Sequence, residues 1–560
     1  MISMSKRLTA YLLGLMVAAA ALPALAWVGT ADLGTIDPLD PLAPYHQTGV
    51  RTLSPDTLYT LHGLYYVTDG AVINIPPATV ILGTFGGTLV IQPGGQIFAT
   101  GTETAPVVMT SNQPAGLRNP GDWGGVVILG RAPVNQANPL IEGGIIEGTF
   151  GGTDPHDSSG VFKYVRIEYP GYRFQLNNEI NGLTSGGVGD GTEVHHVQVS
   201  YSFDDSYEWF GGTVNPHHLV AFGGTDDEFD TDFGFQGKLQ FVFGLRDPEM
   251  WDPNGSSNGF ESDNDGTGTL AAPRTFPIFS NVTLCGPLAT RDTLVTGNKF
   301  ATSATLRRST RTSVFNSVIA GYPKGMSIRD AETQDDAWND TLRVRNLSLQ
   351  AITEVSPGIV HETNKWADVA TWYDRAAYNN TGTAPRLFSD LLIGASYPLN
   401  LNDPDAVPQA GSELIGSADF SDSYLQDPLF TPVSYRGAFD PALPMSGQWT
   451  AGWTNFDPQN SNYASVSAVG EVPSTLVNLR NHPNPFNPST SIKFSVPRDG
   501  QVTLSVFDIR GRRVATLADG RMSAGDHDVH FDGTGLSSGT YFYRLVGEGY
   551  SRTGKMQMVK

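Results

Sequence analysis

Carboxylates and imidazoles return at a fixed interval in the middle of this chain. Asp204-Asp205 recur as Asp226-Asp227, and His195-His196 recur as His217-His218, each after 22 residues. The first copy, residues 195–212, reads HHVQVSYSFDDSYEWFGG; the second, residues 217–234, reads HHLVAFGGTDDEFDTDFG. In an extended chain successive side chains alternate between faces. That places Asp226, Glu228, Asp230 and Asp232 on one face, with Phe229 and Phe233 on the other. In the earlier copy Asp204, Ser206 and Glu208 fall on the acidic face, opposite Tyr207 and Trp209. FESDNDG, residues 260–266, offers a third layer in which Glu261 and Asp263 match Asp230 and Asp232.

Hard oxygen donors at this density suit Ca2+. The expected metal set is Asp204, Glu208, Asp226, Glu228, Asp230 and Asp232, as an irregular site, because no segment has EF-hand spacing. Two carboxylates about 5 Å apart repel by ~3 kcal/mol at an effective dielectric near 20. Stacked copies therefore need a cation, protonation or splayed, solvated side chains. A solvated acidic face and a catalytic cleft stay open beside the cation site. In the catalytic alternative Asp204, Asp205, Asp226 and Asp227 act as acid and base, and Arg246 or Lys238 neutralises a uronate. The two histidine pairs could hold a transition metal, although with no Cys beside them a structural role is favoured. Trp123, Trp209, Trp449 and Trp453 could be sugar platforms, but packing is the simpler expectation. The Gly-rich strings carry no Lys-Ser/Thr ending and are discounted as nucleotide loops.

A period of 22 residues rich in Val, Tyr, Phe and Trp between turn residues predicts a solenoid. It accommodates three short strands and three turns, one coil of a parallel β-helix, with equivalent residues about 4.8 Å apart in successive coils. Phe162–Tyr169 aligns with the first copy at a shift of 32, pairing Val165 with Val197, Ile167 with Val199 and Tyr169 with Tyr201. The surplus residues fit a loop, NNEINGLTSGGVGDG, bulging from a constant coil.

Lys6-Arg7, the apolar run 8–22 and Ala24-Leu25-Ala26 predict a signal peptide over 1–26, cut before Trp27. No later stretch is long and apolar enough to be a membrane span. Residues 27–60, rich in Pro and Asp, read as a loose lead-in. Strand signals run from 61 to 352, and 353–475 reads as a helix-containing cap, an irregular closing segment and the linker SAVGEVPST. Helical spacing of Trp366, Val369, Ala370 and Tyr373 marks the cap. Residues 476–560 are short alternating strands that predict an immunoglobulin-like sandwich. Cys285 is the single cysteine, so no intramolecular disulfide can form; its strand-like setting predicts a core residue. Residues 27–475 carry 22 basic and 49 acidic residues, a net of −27 that argues against nucleic acid and anionic membranes as partners.

The tail strings HPNPFNPSTSIKFSVP, VFDIRGRRVATL, GLSSGTYFYRL and KMQMVK resemble the C-terminal sorting domain of the type IX (Por) secretion system. That resemblance implies an immunoglobulin-like domain at 476–560 that engages the outer-membrane secretion machinery. It also implies passage through the periplasm to the cell surface or the extracellular space. The body strings GDWGGVVILGRAPVN, YVRIEYPG, NEINGLT, SYSFDDSYEWFGGTVN, FDTDFG, NGFESDNDG and TAGWTNFDPQN resemble a family of secreted bacterial proteins. That resemblance implies a right-handed parallel β-helix and no particular activity. The expected protein is therefore all-β: a β-helix followed by a sandwich, exported, and a non-enzymatic binder of a glycan or envelope component. The alternative is a polysaccharide lyase or hydrolase. Against it, the Asn-Thr-Asp, Asp-Asp, His-Gly and Arg-Ile-Lys strings of the hydrolases do not occur together, and Arg166-Ile167-Glu168 lacks the final Lys.

Overall fold

A computed structural model describes residues 27–34, 43–175, 178–252, 255–287, 299–350, 359–360, 369–381, 393, 400–463, 479–496, 500–508, 512–523, 525–547 and 550–560. The expected signal peptide, Trp366 and the SAVGEVPST linker lie outside the described residues. The body is a parallel β-helix of two long sheets, one 14-stranded and one 11-stranded. Among the described residues no helix is long and apolar enough to cross a membrane.

The 22-residue shift is the coil-to-coil register. Tyr207–Gly212 pairs in parallel with Phe229–Asp232, joining Tyr207 to Phe229 and Glu208 to Asp230. Glu193–Ser200 pairs with His217–Phe222, joining His195 to His217. The 32-residue shift holds as well: Val165 meets Val197 and Ile167 meets Val199. Tyr169 and Tyr201 stack with ring centroids 5.3 Å apart. Apolar side chains on the inner face make continuous columns, such as Val165, Val197, Leu219, Val242 and Val282, all fully buried. Each such side chain contributes roughly 1.5–3 kcal/mol on leaving water.

Two features depart from a coil of three equal strands. Residues 27–60 are not a loose lead-in, since Gly29–Gly34, Tyr45–Gln47, Val50–Thr52 and the start of Thr57–His62 already belong to the sheets. In addition, Gly160–Glu168 continues two shorter strands at once, Gln96–Thr100 through its first half and Val107–Ser111 through its second. From there on, one left-handed residue replaces a whole turn. Tyr164, His196, His218, Phe241, Asn281, Asn316 and Asn346 occupy it in successive coils, all with φ between 49° and 58°. Asn and His are enriched in that conformation, whereas Tyr and Phe are unusual there.

The outer face of the longer sheet is also apolar, with Val220, Phe222, Phe243, Leu245, Cys285, Val318 and Ala320 pointing away from the inner core. Residues 400–463 form a strap over it. Leu414, Ala438, Phe439 and Trp453 fill the second core, and Cys285 is buried there. The strap runs from Glu413, which accepts from Ser348 at 3.0 Å, back to Gln459, which donates to the Arg118 carbonyl at 3.0 Å. Gln198 and Asn455 exchange two 2.8 Å hydrogen bonds on the way. The described part of the expected cap, the short helix Val369–Tyr373, packs at the last coils. There Trp372 donates to the Ala337 carbonyl and Tyr373 to that of Leu347. An unforeseen helix, Ala331–Trp338, supports it.

Beyond the body, antiparallel sheets of three and four strands enclose a separate core of Ile492, Phe494, Leu504, Val506, Leu545 and Met556. The seven-stranded sandwich agrees with the sequence expectation.

Candidate functional site: an acidic cleft on the second sheet

The cleft lies on the outer face of the 11-stranded sheet. Its strands present Tyr207, Phe229 and Phe260 inward, so Glu208, Asp230 and Glu261 emerge outward in one column. Turns at the strand starts add Asp204, Asp205, Asp226 and Asp227. Asp204, Asp205 and Asp226 each bring a carboxylate oxygen within 4.8 Å of the other two, and so do Asp205, Glu208 and Asp230. Asp205 belongs to both groups and joins them.

Burial, not exposure, governs these groups. Asp205, Glu208, Asp226 and Asp230 are all held well above the ordinary carboxylate range, first by desolvation and then by their carboxylate neighbours. Burial also raises Asp227 to about 6, opposed by Arg246, and Glu261 to about 8, opposed by Arg307. Glu142, from the loop before Gly160, hydrogen-bonds to Glu208, and burial pushes it upward too. A hydrogen bond between two carboxyl groups requires a proton on one of them. Asn181, wholly buried, donates to Glu142 at 3.1 Å and also to Glu208. Its own Oδ1 finds no hydrogen-bond donor, and neither does the enclosed Oδ1 of Asp230. Two orphaned acceptors among crowded carboxylates fit a hard cation, which takes several oxygen ligands.

The expected metal set is therefore brought together in part. Asp204, Glu208, Asp226 and Asp230 converge. Glu228 does not: it turns into the interior, fully buried, and meets Arg246 Nε at 2.5 Å and the Tyr322 hydroxyl at 3.1 Å. The strand begins only at Phe229, so residues 226–228 follow a turn and do not alternate with a period of two. Asp232 keeps the outward side but lies further along, near Asp263, Asp265 and Arg308, with burial raising it to about 8.

Of the alternative acid–base set, Asp227 is tied into the scaffold. Its carboxylate accepts from the Asn258 N–H at 2.5 Å, and its own N–H donates to Asp205 at 2.8 Å. Arg246 cannot neutralise a substrate: it is 0% exposed and donates to the carbonyls of Gly224, Asp226 and Asn258. Lys238 pairs with Asp427 of the strap at 3.1 Å. Among the described residues, the cations that reach the cleft are Arg307, bonded to Glu261 and Asp263, and Arg308, 2.6 Å from Asp263. Glu142, Arg307 and Arg308 escaped the sequence reading. Glu142 comes from a loop outside the repeat, and the arginines lie a coil further on where the spacing has doubled, Glu261 pairing with Thr305. Extending the strand register past Asp263 would have found them.

The tryptophans are packing groups: Trp123, Trp209 and Trp453 are buried, and Trp449 packs in the strap core. The four histidines lie on the other sheet in two stacked pairs, His195 on His217 at 4.9 Å and His196 on His218 at 4.5 Å between ring centroids. Burial lowers His196 to about 3, His217 to about 4 and His218 to about 2, so these rings are neutral at ordinary pH.

Residues 46–389 match the family described as a pectate-lyase like beta helix domain, and the chain belongs to that family. Residues 481–559 match the secretion system C-terminal sorting domain, which directs export to the cell surface or the extracellular space. No curated protein matches the chain.

Proposed function

We propose that this exported β-helix holds Ca2+ in the acidic cleft and, through the ion, binds an anionic glycan of the envelope or matrix without turning it over. The convergence of two three-carboxylate groups on Asp205, lined by orphaned oxygen acceptors, carries this reading. Ca2+ would sit among Asp204, Asp205, Glu208, Asp226 and Asp230, with coordination positions left for carboxylates of the ligand. Arg307 and Arg308 flank the cleft and would meet further anionic groups. A second reading, a polysaccharide lyase or hydrolase, draws support from Glu208 and Asp230, whose hold on a proton is strengthened by burial and carboxylate neighbours, the direction a general acid needs. The hydrogen-bonded Glu142–Glu208 pair is itself much closer than the roughly 5 Å that a retaining glycosidase needs between its carboxyls.

A glycan array with and without Ca2+, run beside reducing-sugar and unsaturated-uronate assays, separates the two. Ca2+-dependent binding without product supports the binder. Turnover abolished by Asp204→Ala makes the protein an enzyme, and no Ca2+-dependent binding at all defeats the proposal. The sorting domain is proposed to contact the outer-membrane secretion machinery. Deleting 476–560 should therefore leave the chain in the periplasm of its native cell; normal release of the truncated chain would refute that role.

A further inference from the structure

The histidine ladder lies on the opposite sheet from the cleft, and its geometry is independent of the acidic residues. His195 Nδ1 stands 2.7 Å from His196 Nδ1, and His217 Nδ1 stands 2.6 Å from His218 Nδ1. Glu193 accepts from His195 Nε2 at 2.9 Å. That nitrogen therefore carries the proton of a neutral ring, and the lone pair on Nδ1 faces His196. In the second pair likewise one ring donates and the other accepts. Each pair thus aims a lone pair at its partner, and the pairs stack one coil apart. His196, His217 and His218 each bring one ring nitrogen within 4.8 Å of the other two.

Stacking alone does not demand histidine. In the left-handed column Tyr164 stacks on His196 at 4.4 Å and Phe241 packs on His218 at 4.9 Å, so any aromatic ring satisfies the ladder. In the adjacent column the neighbours of His195 and His217 are Lys163 and Gln240. Histidine fills both columns in the same two coils, where four imidazoles can converge. Trp449 and Trp453 of the strap pack edge-on against His196, and Trp449 against His218. They make an apolar wall, while Glu193 supplies the carboxylate partner that commonly orients a metal-bound imidazole.

We propose that His196, His217 and His218, with His195 oriented by Glu193, form a binding site for one divalent transition-metal ion. Nitrogen-only donors favour Cu2+ over Zn2+ and exclude Ca2+ as a competitor. Metal–nitrogen bonds of about 2.0–2.1 Å set ligand nitrogens about 3 Å apart, so the paired rings need open by only a few tenths of an ångström. No chemical step is assigned to the ion; it would cross-link two adjacent coils, since its ligands stand on paired neighbouring strands.

The test uses the full chain, stripped with chelator and titrated with copper(II) sulfate. Electron paramagnetic resonance and equilibrium dialysis should report one Cu2+ per chain with nitrogen hyperfine coupling. Neither equimolar zinc nor millimolar Ca2+ should displace it. His196→Tyr with His218→Phe copies the rings of the neighbouring coils and should abolish the signal while preserving the circular dichroism. His195→Gln with His217→Gln copies Gln240 in its column and should do the same, so a folding failure in one variant leaves the other to decide. Absence of copper uptake by the wild-type chain, or an unchanged nitrogen-coupled signal in a folded variant, overturns the proposal.

Discussion

On one sheet the coil repeat sets Glu208 beside Asp230 and Asp230 beside Glu261; on the other it sets His196 over His218. The operation is the same and the electrostatic result is opposite. A solenoid multiplies whatever one coil presents. Neutral rings gain contact with each repeat, whereas carboxylates gain repulsion that burial makes worse. Only the acidic column therefore requires something beyond the chain, a proton or a cation, to reach its lowest free energy.

The sharpest way to break the comparison is at Arg246, the cation that lets Glu228 leave the acidic face. Arg246→Met strands a fully buried carboxyl group and three carbonyls, and should cost about 3–5 kcal/mol in chemical denaturation. A loss under 1 kcal/mol would mean that the pair is not integral to the coil.

Next comes pH. The cleft carboxyls have folded pKa values raised above their unfolded ones, so the folded state binds more protons. Their contribution is fully present below about pH 4 and is lost as pH rises through about 6 for Asp227 and about 8 for Glu261 and Asp232. In chelator, the melting temperature should fall steadily from pH 5 to pH 8. The neutral histidines work the other way: their contribution is fully present above the unfolded value of about 6.5 and is lost as pH falls through about 4 for His217. A flat profile from 5 to 8 would show that the carboxylates are solvated.

Ca2+ should reverse that loss. A ligand of the native state alone stabilises by about 2.7 kcal/mol at a hundredfold excess over Kd, so millimolar Ca2+ at pH 7.5 should raise the melting temperature by several degrees. Asp226→Asn with Asp230→Asn should erase the response. Equal calorimetric midpoints in Ca2+ and in chelator, at low salt, would leave the cleft without a cation.

The smallest effect is expected on the ring side. His196→Tyr repeats the Tyr164 ring and should change stability by less than about 1 kcal/mol. A large loss would mean that the imidazole nitrogens, and not the rings, hold the ladder.

What was legible in the sequence follows from which forces act locally. The stacking was readable because identical residues at a fixed shift must share a register, and His195, Asp204 and Glu208 were placed correctly over their partners. Which face a side chain takes was readable only within a strand. Glu228 sits in a turn, where alternation has no meaning, and it went to the core instead. The coil fused at Tyr164 gave no signal, since a left-handed aromatic residue looks like any strand residue in one dimension. Arg307 was hidden by a spacing of 44 where 22 was expected. The sandwich was recoverable because its strands pair with near neighbours in the chain.

The strap carries a kinetic consequence. Gln198 finds Asn455 across 257 residues, and Arg118 finds Gln459 across 341. The outer apolar columns of the long sheet therefore stay wet until almost the whole body has been made. Closure of such distant contacts is slow, because loop entropy is spent before the contacts form. A chain caught before that moment would expose a sticky, ordered sheet over many coils. Its window of vulnerability to aggregation is set by the last residues to arrive, and a chaperone that delayed collapse would act on this face first.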